Sequence, residues 1–395
     1  MRKFVVLRDL QAVQTGEPFG GVLPGAAVRG FPSAAPEPRV DVEVLSNREL
    51  RDVARDPDVV AVAPVMPTAL IHPVATADVE DAAGDSWGVA AVGADASPFT
   101  GNGTVVAVLD TGIDRSHPTF TGVDIVEKDF SGAGDGDVQG HGTHCAGTIF
   151  GRDVSGGRIG IARGVQRVLI GKVLSDDGSG SSEMLFEGIQ WALASGADVI
   201  SMSLGFDFPG LVASLTGDGW PVELATSTGL EAYRAHLRMF DALMAMTRAR
   251  EAFSGSAVVT AAAGNESRRD EDPRFEIAAS LPAAAEGVVS VGALARDGQA
   301  LSIAPFSNTF PQISGPGVDI VSAKSGGGVR SLSGTSMACP HVAGVAALWW
   351  EAARAGAMPP TARTVLSKLL ATARTDVFTS GVEVADRGGG CVTAP

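Results

Sequence analysis

Short, continuous apolar runs recur through the second part of the chain and constrain its fold more than any other feature. The clearest is Val105-Val106-Ala107-Val108-Leu109, which ends in Asp110-Thr111-Gly112. Others lie at Val168 to Leu174, Asp198 to Leu204, Val258 to Ala263, Val288 to Leu294 and Val318 to Ser322. Helical patterns fall between them at 142–151, 182–195, 230–252 and 341–355. A strand wetted on one face alternates apolar with polar residues, whereas one covered on both faces reads as continuous. The expectation is an α/β fold, with a mostly parallel central sheet and helices on both faces. Ligands of such sheets gather at the carboxyl ends of the strands.

The amino-terminal part differs. Lys3 to Leu7, Val40 to Val44 and Val59 to Val65 read as strands, and Asn47 caps a short helix through Ala54. Residues 10–39 are rich in Gly, Pro and Ala and read as loop. Residues 1–73 thus form a small α+β unit, followed by a turn-forming, acidic linker (74–85) and a large domain (86–395). A length of 395 residues accommodates both. The formal charge of −15 argues against nucleic acid as a partner. No apolar run reaches the roughly 20 residues of a membrane helix. Arg8 and Asp9 interrupt the apolar run Phe4 to Leu7, too short for an export signal, so a cytoplasmic site is expected unless a signal has been trimmed. Cys145, Cys339 and Cys391 are odd in number and imply no disulfide framework.

Four residues carry candidate chemistry. Ser336 stands in Gly334-Thr335-Ser336-Met337-Ala338-Cys339-Pro340-His341, at the start of an apolar helix, with Pro340 placed in the first turn. Free N–H groups there favour a developing negative charge, although Ser is also a good helix cap. Asp110 and Asn265 each follow a buried strand, where both residue types also serve as turn formers. His141 opens Gly140-His141-Gly142-Thr143-His144-Cys145-Ala146-Gly147, a glycine-rich start to a helix. A serine needs a base of near-neutral pKa, hence His141, and the imidazole needs a carboxylate to hold its tautomer, hence Asp110. Asn265 and the Ser336 N–H could stabilise an oxyanion.

With these residues in the order Asp, His, Asn, Ser, the chain resembles the subtilisin-like serine proteases (subtilases) over about residues 82–395. Val108 to Asp114, His141 to Gly147, Ala261 to Glu266 and Gly334 to His341 carry the resemblance. His141 to Thr148, Gly160-Ile161-Ala162 and Lys172-Val173-Leu174 are most similar to proteinase K within that family. The resemblance implies a serine endopeptidase working through an acyl-enzyme. It also implies that Gly178-Ser179-Gly180 and Ser203-Leu204-Gly205 are edges between which a protein or peptide substrate adds as a strand. Ala262, Ala263 and Gly264 would wall the pocket before the cleaved bond, with Glu266 near its rim. Small residues there imply a roomy pocket for large apolar or neutral side chains.

Residues 1–73 resemble an abridged subtilase propeptide, most clearly at Leu50 to Val65. That implies an intramolecular chaperone and inhibitor, cut near residues 70–82, with cleavage after His72 disfavoured by Pro73. No cofactor is expected. Calcium is possible but not assignable, because Thr119 stands where many subtilases place a liganding Asp. The loop carrying Asp129, Asp135 and Asp137 reads as solvated. His141 and His144 lack companions for a zinc set, and His144 reads as a structural hydrogen-bonder. Cys145 and Cys339 read as small buried hydrophobes close to the chemistry. Residues 206–229 read either as a lid or as an inert insertion. The competing function is a catalytically silent protease fold acting as a binding protein or scaffold.

Overall fold

The computed structural model describes residues 1–10, 37–78, 86–154, 156–251, 255–356 and 360–395. Most of the loop expected at 10–39 and the end of the expected linker lie outside them. The small unit contains β1 (Arg2–Asp9), β2 (Pro38–Leu45), α1 (Asn47–Val53) and β3 (Val59–Pro64), with β1 central in an antiparallel sheet. Ser46, not Asn47, caps α1. Its hydroxyl accepts from the Glu49 N–H while the Glu49 carboxylate accepts from the Ser46 N–H, a reciprocal pairing that satisfies two otherwise free donors.

Two further strands follow, β4 (Pro67–Leu70) and β5 (Ala75–Asp78), and then α2 (Trp87–Ala91). The large domain is built on β6 (Val105–Asp110), β7 (Asp124–Asp129), β8 (Arg167–Lys172), β10 (Val199–Met202), β12 (Val258–Ala262), β13 (Val288–Asp297), β14 (Ala300–Ile303) and β15 (Ile313–Pro316). These eight described strands form one sheet in the order β14-β13-β12-β10-β6-β8-β7, with β15 also on β13, and every pair is parallel except β13–β14.

The continuous apolar pattern has the anticipated cause. Val106 and Val108 of β6 point into one core, with Ala146, Ile149 and Val342, while Ala107 and Leu109 point into the other, with Leu185, Ile189 and Phe240. Helices α3 (His141–Phe150) and α7 (Thr335–Arg354) cover the first face. Helices α4 (Ser182–Ala194) and α6 (Val222–Ala249) cover the second. Each fully buried Val or Leu contributes about 1.5–3 kcal/mol.

Three expectations need correction. Val318 to Ser322 does not join the large sheet, because Ile320–Ala323 (β16) pairs antiparallel with Val329–Ser333 (β17). The helix expected at 230–252 begins at Val222, after a separate helix, α5 (Phe208–Gly217), so 206–229 is largely helical. Finally, α7 begins at Thr335, which places Pro340 inside the helix rather than in its first turn.

The small unit packs on the second face. Val5, Leu7 and Ala63 share a core with Leu185, Phe186 and Phe240. Lys3 pairs with Glu183 at 3.1 Å, and the Val40 N–H donates to the Gln190 side-chain oxygen. No described helix is long and apolar enough to cross a membrane.

Buried histidines give the fold a predictable acid sensitivity. His236 lies between the rings of Phe186 and Phe206, and burial lowers its pKa to about 4. Burial likewise lowers His341 to about 4 and His144 to about 3. Because these values fall below the unfolded one, the unfolded chain binds more protons, so the stabilisation is complete above about pH 6.5 and is lost as pH falls toward 4. At about 1.4 kcal/mol per unit, His236 and His341 each account for roughly 3 kcal/mol and His144 for roughly 5 kcal/mol. Thermal unfolding followed from pH 7 to 4.5 should show a steep loss of stability, and His236→Leu should make it shallower.

Candidate active site

Asp110 is the last residue of β6 and is almost fully buried. Its Oδ1 accepts from the Thr111 N–H at 2.8 Å and lies 2.8 Å from His141 Nδ1. An ionised carboxylate only accepts, so this contact places the imidazole proton on Nδ1 and leaves Nε2 as the basic nitrogen. Among the described residues Nε2 has no hydrogen-bond partner. Gly140, in the left-handed region at φ 84°, turns the chain into α3, and the His141 N–H donates to Gln139. Close packing of two glycines fixes the separation of helix and strand: a Cβ on Gly142 would collide with the Gly112 carbonyl oxygen.

Asp137 was expected in a solvated loop, but it is buried. One carboxylate oxygen accepts from the Thr111 hydroxyl and the Gly140 N–H, and the other from the Thr143 N–H and hydroxyl. The Thr111 hydroxyl in turn accepts from the Gly142 N–H. Asp137 therefore ties the strand end bearing Asp110 to the helix start bearing His141. Its sequence signal is slight: a carboxylate four residues before His141, with threonines one residue after Asp110 and two after His141. Asp137→Ala would strand four donors at about 1–3 kcal/mol for each that stays unsatisfied. It should lower the melting temperature, as thermal unfolding would show.

Ser336 is the second residue of α7. Pro340, lacking an N–H, cannot donate to the Ser336 carbonyl as helical geometry would require. That carbonyl accepts instead from the Ser203 hydroxyl at 3.2 Å and the Cys145 thiol at 3.4 Å. The thiol also lies 3.7 Å from His141 Nδ1, so Cys145 sits between the serine backbone and the imidazole. Burial pushes its pKa up, which keeps it a neutral thiol. Cys339 is buried as well, against the Met202 carbonyl and the Thr260 hydroxyl.

The Asn265 side-chain oxygen accepts from the Thr335 N–H and hydroxyl at 2.9 and 2.8 Å, which turns its Nδ2 outward as a donor. Ala262 and Ala263 are buried behind it, and the Gly264 N–H donates to the Thr335 hydroxyl. Gly264 has φ 114° and no room for a Cβ between Asn308 and Glu266. The Glu266 carboxylate accepts from Asn308 Nδ2 at 2.6 Å, so it braces this turn.

The two edges expected from sequence face each other across a groove that the chain itself fills. β4 lies between β9 (Ser179–Ser181) and β11 (Leu204–Phe206), antiparallel to both. Ala69 stands opposite Gly205 and Ser179, Thr68 opposite Gly180, and the Leu70 N–H donates to the Gly178 carbonyl. Ile71 is buried against Gly205. Its carbonyl accepts from Ser336 Oγ at 3.1 Å, while the His72 carbonyl accepts from Asn265 Nδ2 at 3.0 Å. Beyond Pro73, β5 pairs antiparallel with β17. Residues 67–78 are thus a strap through the groove rather than the end of one unit and a free linker.

From sequence, His141 and His144 lack companions for a zinc set. His144 indeed faces away, with Nε2 on the carbonyls of Ile320 and Arg330. Ligand atoms of Asp110, His141 and Cys145 do come within 4.8 Å of one another, but His141 Nδ1 is already engaged by Asp110. Thr119 is buried and donates to the Arg152 carbonyl, and it offers no carboxylate to a hard cation.

Residues 101–389 match the model of the subtilase family. The chain belongs to that family. It is similar to subtilisin-like protease 1 of Trichophyton rubrum, at 33% identity over 321 residues, covering 77% of this chain and 53% of the relative. A thermostable alkaline protease of Halalkalibacterium halodurans is 34% identical over 310 residues, covering 77% and 70% of the two chains. A thermophilic serine proteinase of a Bacillus species is 34% identical over 254 residues, covering 62% and 52%. The chain spans about half the length of several of the fungal relatives it matches.

Proposed function

We propose that the chain is a serine endopeptidase made as a self-inhibited proenzyme. The observation that carries this reading is a peptide strand seated in the groove, with Ser336 Oγ and Asn265 Nδ2 on successive carbonyls. Ser336 is the nucleophile. His141 Nε2 takes its proton and passes it to the leaving amine. Asp110 holds the imidazole tautomer and stabilises the imidazolium. The Asn265 amide and the Ser336 N–H bind the tetrahedral oxyanion. Substrates are proteins or peptides that add as a strand between Gly178-Ser179-Gly180 and Ser203-Leu204-Gly205. The small unit acts as chaperone and inhibitor until the chain is cut.

A fluorophosphonate probe tests the reading, applied to the full chain before and after incubation that allows the strap to leave. Labelling at Ser336, absent in Ser336→Ala, is the expected result. A folded chain that stays unlabelled at every stage would be a silent binding protein instead.

A further inference from the structure

The strap obeys one register upstream of Ser336 and another downstream. Upstream, Thr68, Ala69 and Leu70 pair with β11, the Leu70 N–H reaches Gly178, and Ile71 is buried against Gly205. This seats the Ile71–His72 bond opposite the serine, and Ser336 Oγ contacts the Ile71 carbonyl. Downstream, the first N–H to pair belongs to Val74, which donates to the Ser333 carbonyl at 2.8 Å. Pro73 precedes it and has no N–H to offer. The pairing therefore begins one residue late. As a result Asn265 Nδ2 engages the His72 carbonyl, one peptide unit beyond the carbonyl that Ser336 touches. Attack needs hydroxyl and oxyanion donor on the same carbonyl, and the structure divides them between two. The Ser336 proton is also directed at a carbonyl, while His141 Nε2 has no partner among the described residues.

We infer that Pro73 sets which bonds this site can cut, holding the strap as a substrate through Ile71 and out of step beyond it. The inference rests on the proposed peptidase reading. It names a substrate class: extended peptides with an aliphatic residue in the Ile71 position, leucine before it, and a residue bearing an N–H two positions after the bond. With such an N–H on Ser333, the Ile71 carbonyl reaches Asn265. Ser336 Oγ then bonds to the Ile71 carbonyl carbon, the bond to the His72 nitrogen breaks, and His141 hands the hydroxyl proton to that amine. Water later releases the Ile71 carboxylate and restores Ser336.

The test compares synthetic peptides spanning Val65–Asp78 with proline or alanine at position 73, incubated with enzyme that labels with a fluorophosphonate. In parallel, full-length chain and its Pro73→Ala variant are followed by mass spectrometry. The alanine forms should be cut between Ile71 and His72 at least tenfold faster, and the proline peptide should inhibit while staying intact. Equal rates at that bond, or cleavage after His72 in both, would overturn the inference. Should Ser336 label and neither peptide be cut, the register argument falls and the peptidase reading stands. Without labelling both fall. The peptide arm decides the matter if Pro73→Ala fails to fold.

Discussion

On the proposed mechanism, replacing Ser336 with alanine is expected to lower peptide hydrolysis by about 10⁴- to 10⁶-fold, the loss found when a nucleophile acting as part of one unit is removed. The change itself is small: one buried hydroxyl, whose hydrogen bonds in the structure go to the strap and to the Ser203 carbonyl. Stability should therefore barely move, and thermal unfolding beside kcat separates the two effects. Asn265→Ala should cost less, about 10²- to 10³-fold in kcat, because it removes one donor to a charge that develops only in the transition state. It should leave KM nearly unchanged. Combining the two should add little to Ser336→Ala alone, since an oxyanion that never forms needs no donor.

Gly142→Ala should disturb both stability and turnover, for a reason that lies in the backbone. The new methyl would meet the Gly112 carbonyl oxygen, and neither partner has a side-chain torsion through which to yield. Relief requires α3 to move away from the end of β6. Overpacking of this kind costs about 1–3 kcal/mol or more. The same displacement carries His141 away from Asp110, and a shift of about 1 Å in a catalytic constellation costs about 100-fold in rate. Gly217→Ala is the control. A Cβ there meets nothing within 4 Å and the residue lies at the end of α5, so the variant should keep full activity and unfold no earlier. A Gly142→Ala enzyme with native kcat would show that the helix–strand contact is not what spaces the site.

Much of this arrangement could be read from residue order, for physical reasons. The alternation of Val106 and Val108 against Ala107 and Leu109 between two cores leaves a continuous apolar run, and such a run marks a strand with two dry faces. Asp110 and Asn265 were legible because parallel strands deliver whatever follows them to the same rim. Asp137 was not. It looks like Asp129 and Asp135 until the fold brings Thr111, Gly140 and Thr143 around it, and no local pattern announces those donors. The strap escaped notice for a related reason. Its hydrogen bonds come from β9, β11 and β17, so a turn-rich composition is no obstacle to extended structure there. Pro340 misled by one assumption, that a proline belongs to the first turn. Here the carbonyl it leaves free is taken by Ser203 and Cys145.

The covalent continuity of the strap with both bodies has a kinetic consequence. While the chain is unbroken, the occupant of the groove cannot be diluted away, and its local concentration is of millimolar order whatever the sample contains. On the proposed proenzyme reading, a scission between the strap and the large domain turns that fixed quantity into an ordinary dissociation governed by mass action, whereas one between the strap and the small unit leaves it tethered. Dilution should then favour release of the cut strap, whereas cutting of one molecule by another is bimolecular and slows with it, so the lag before turnover should pass through a minimum as concentration is varied.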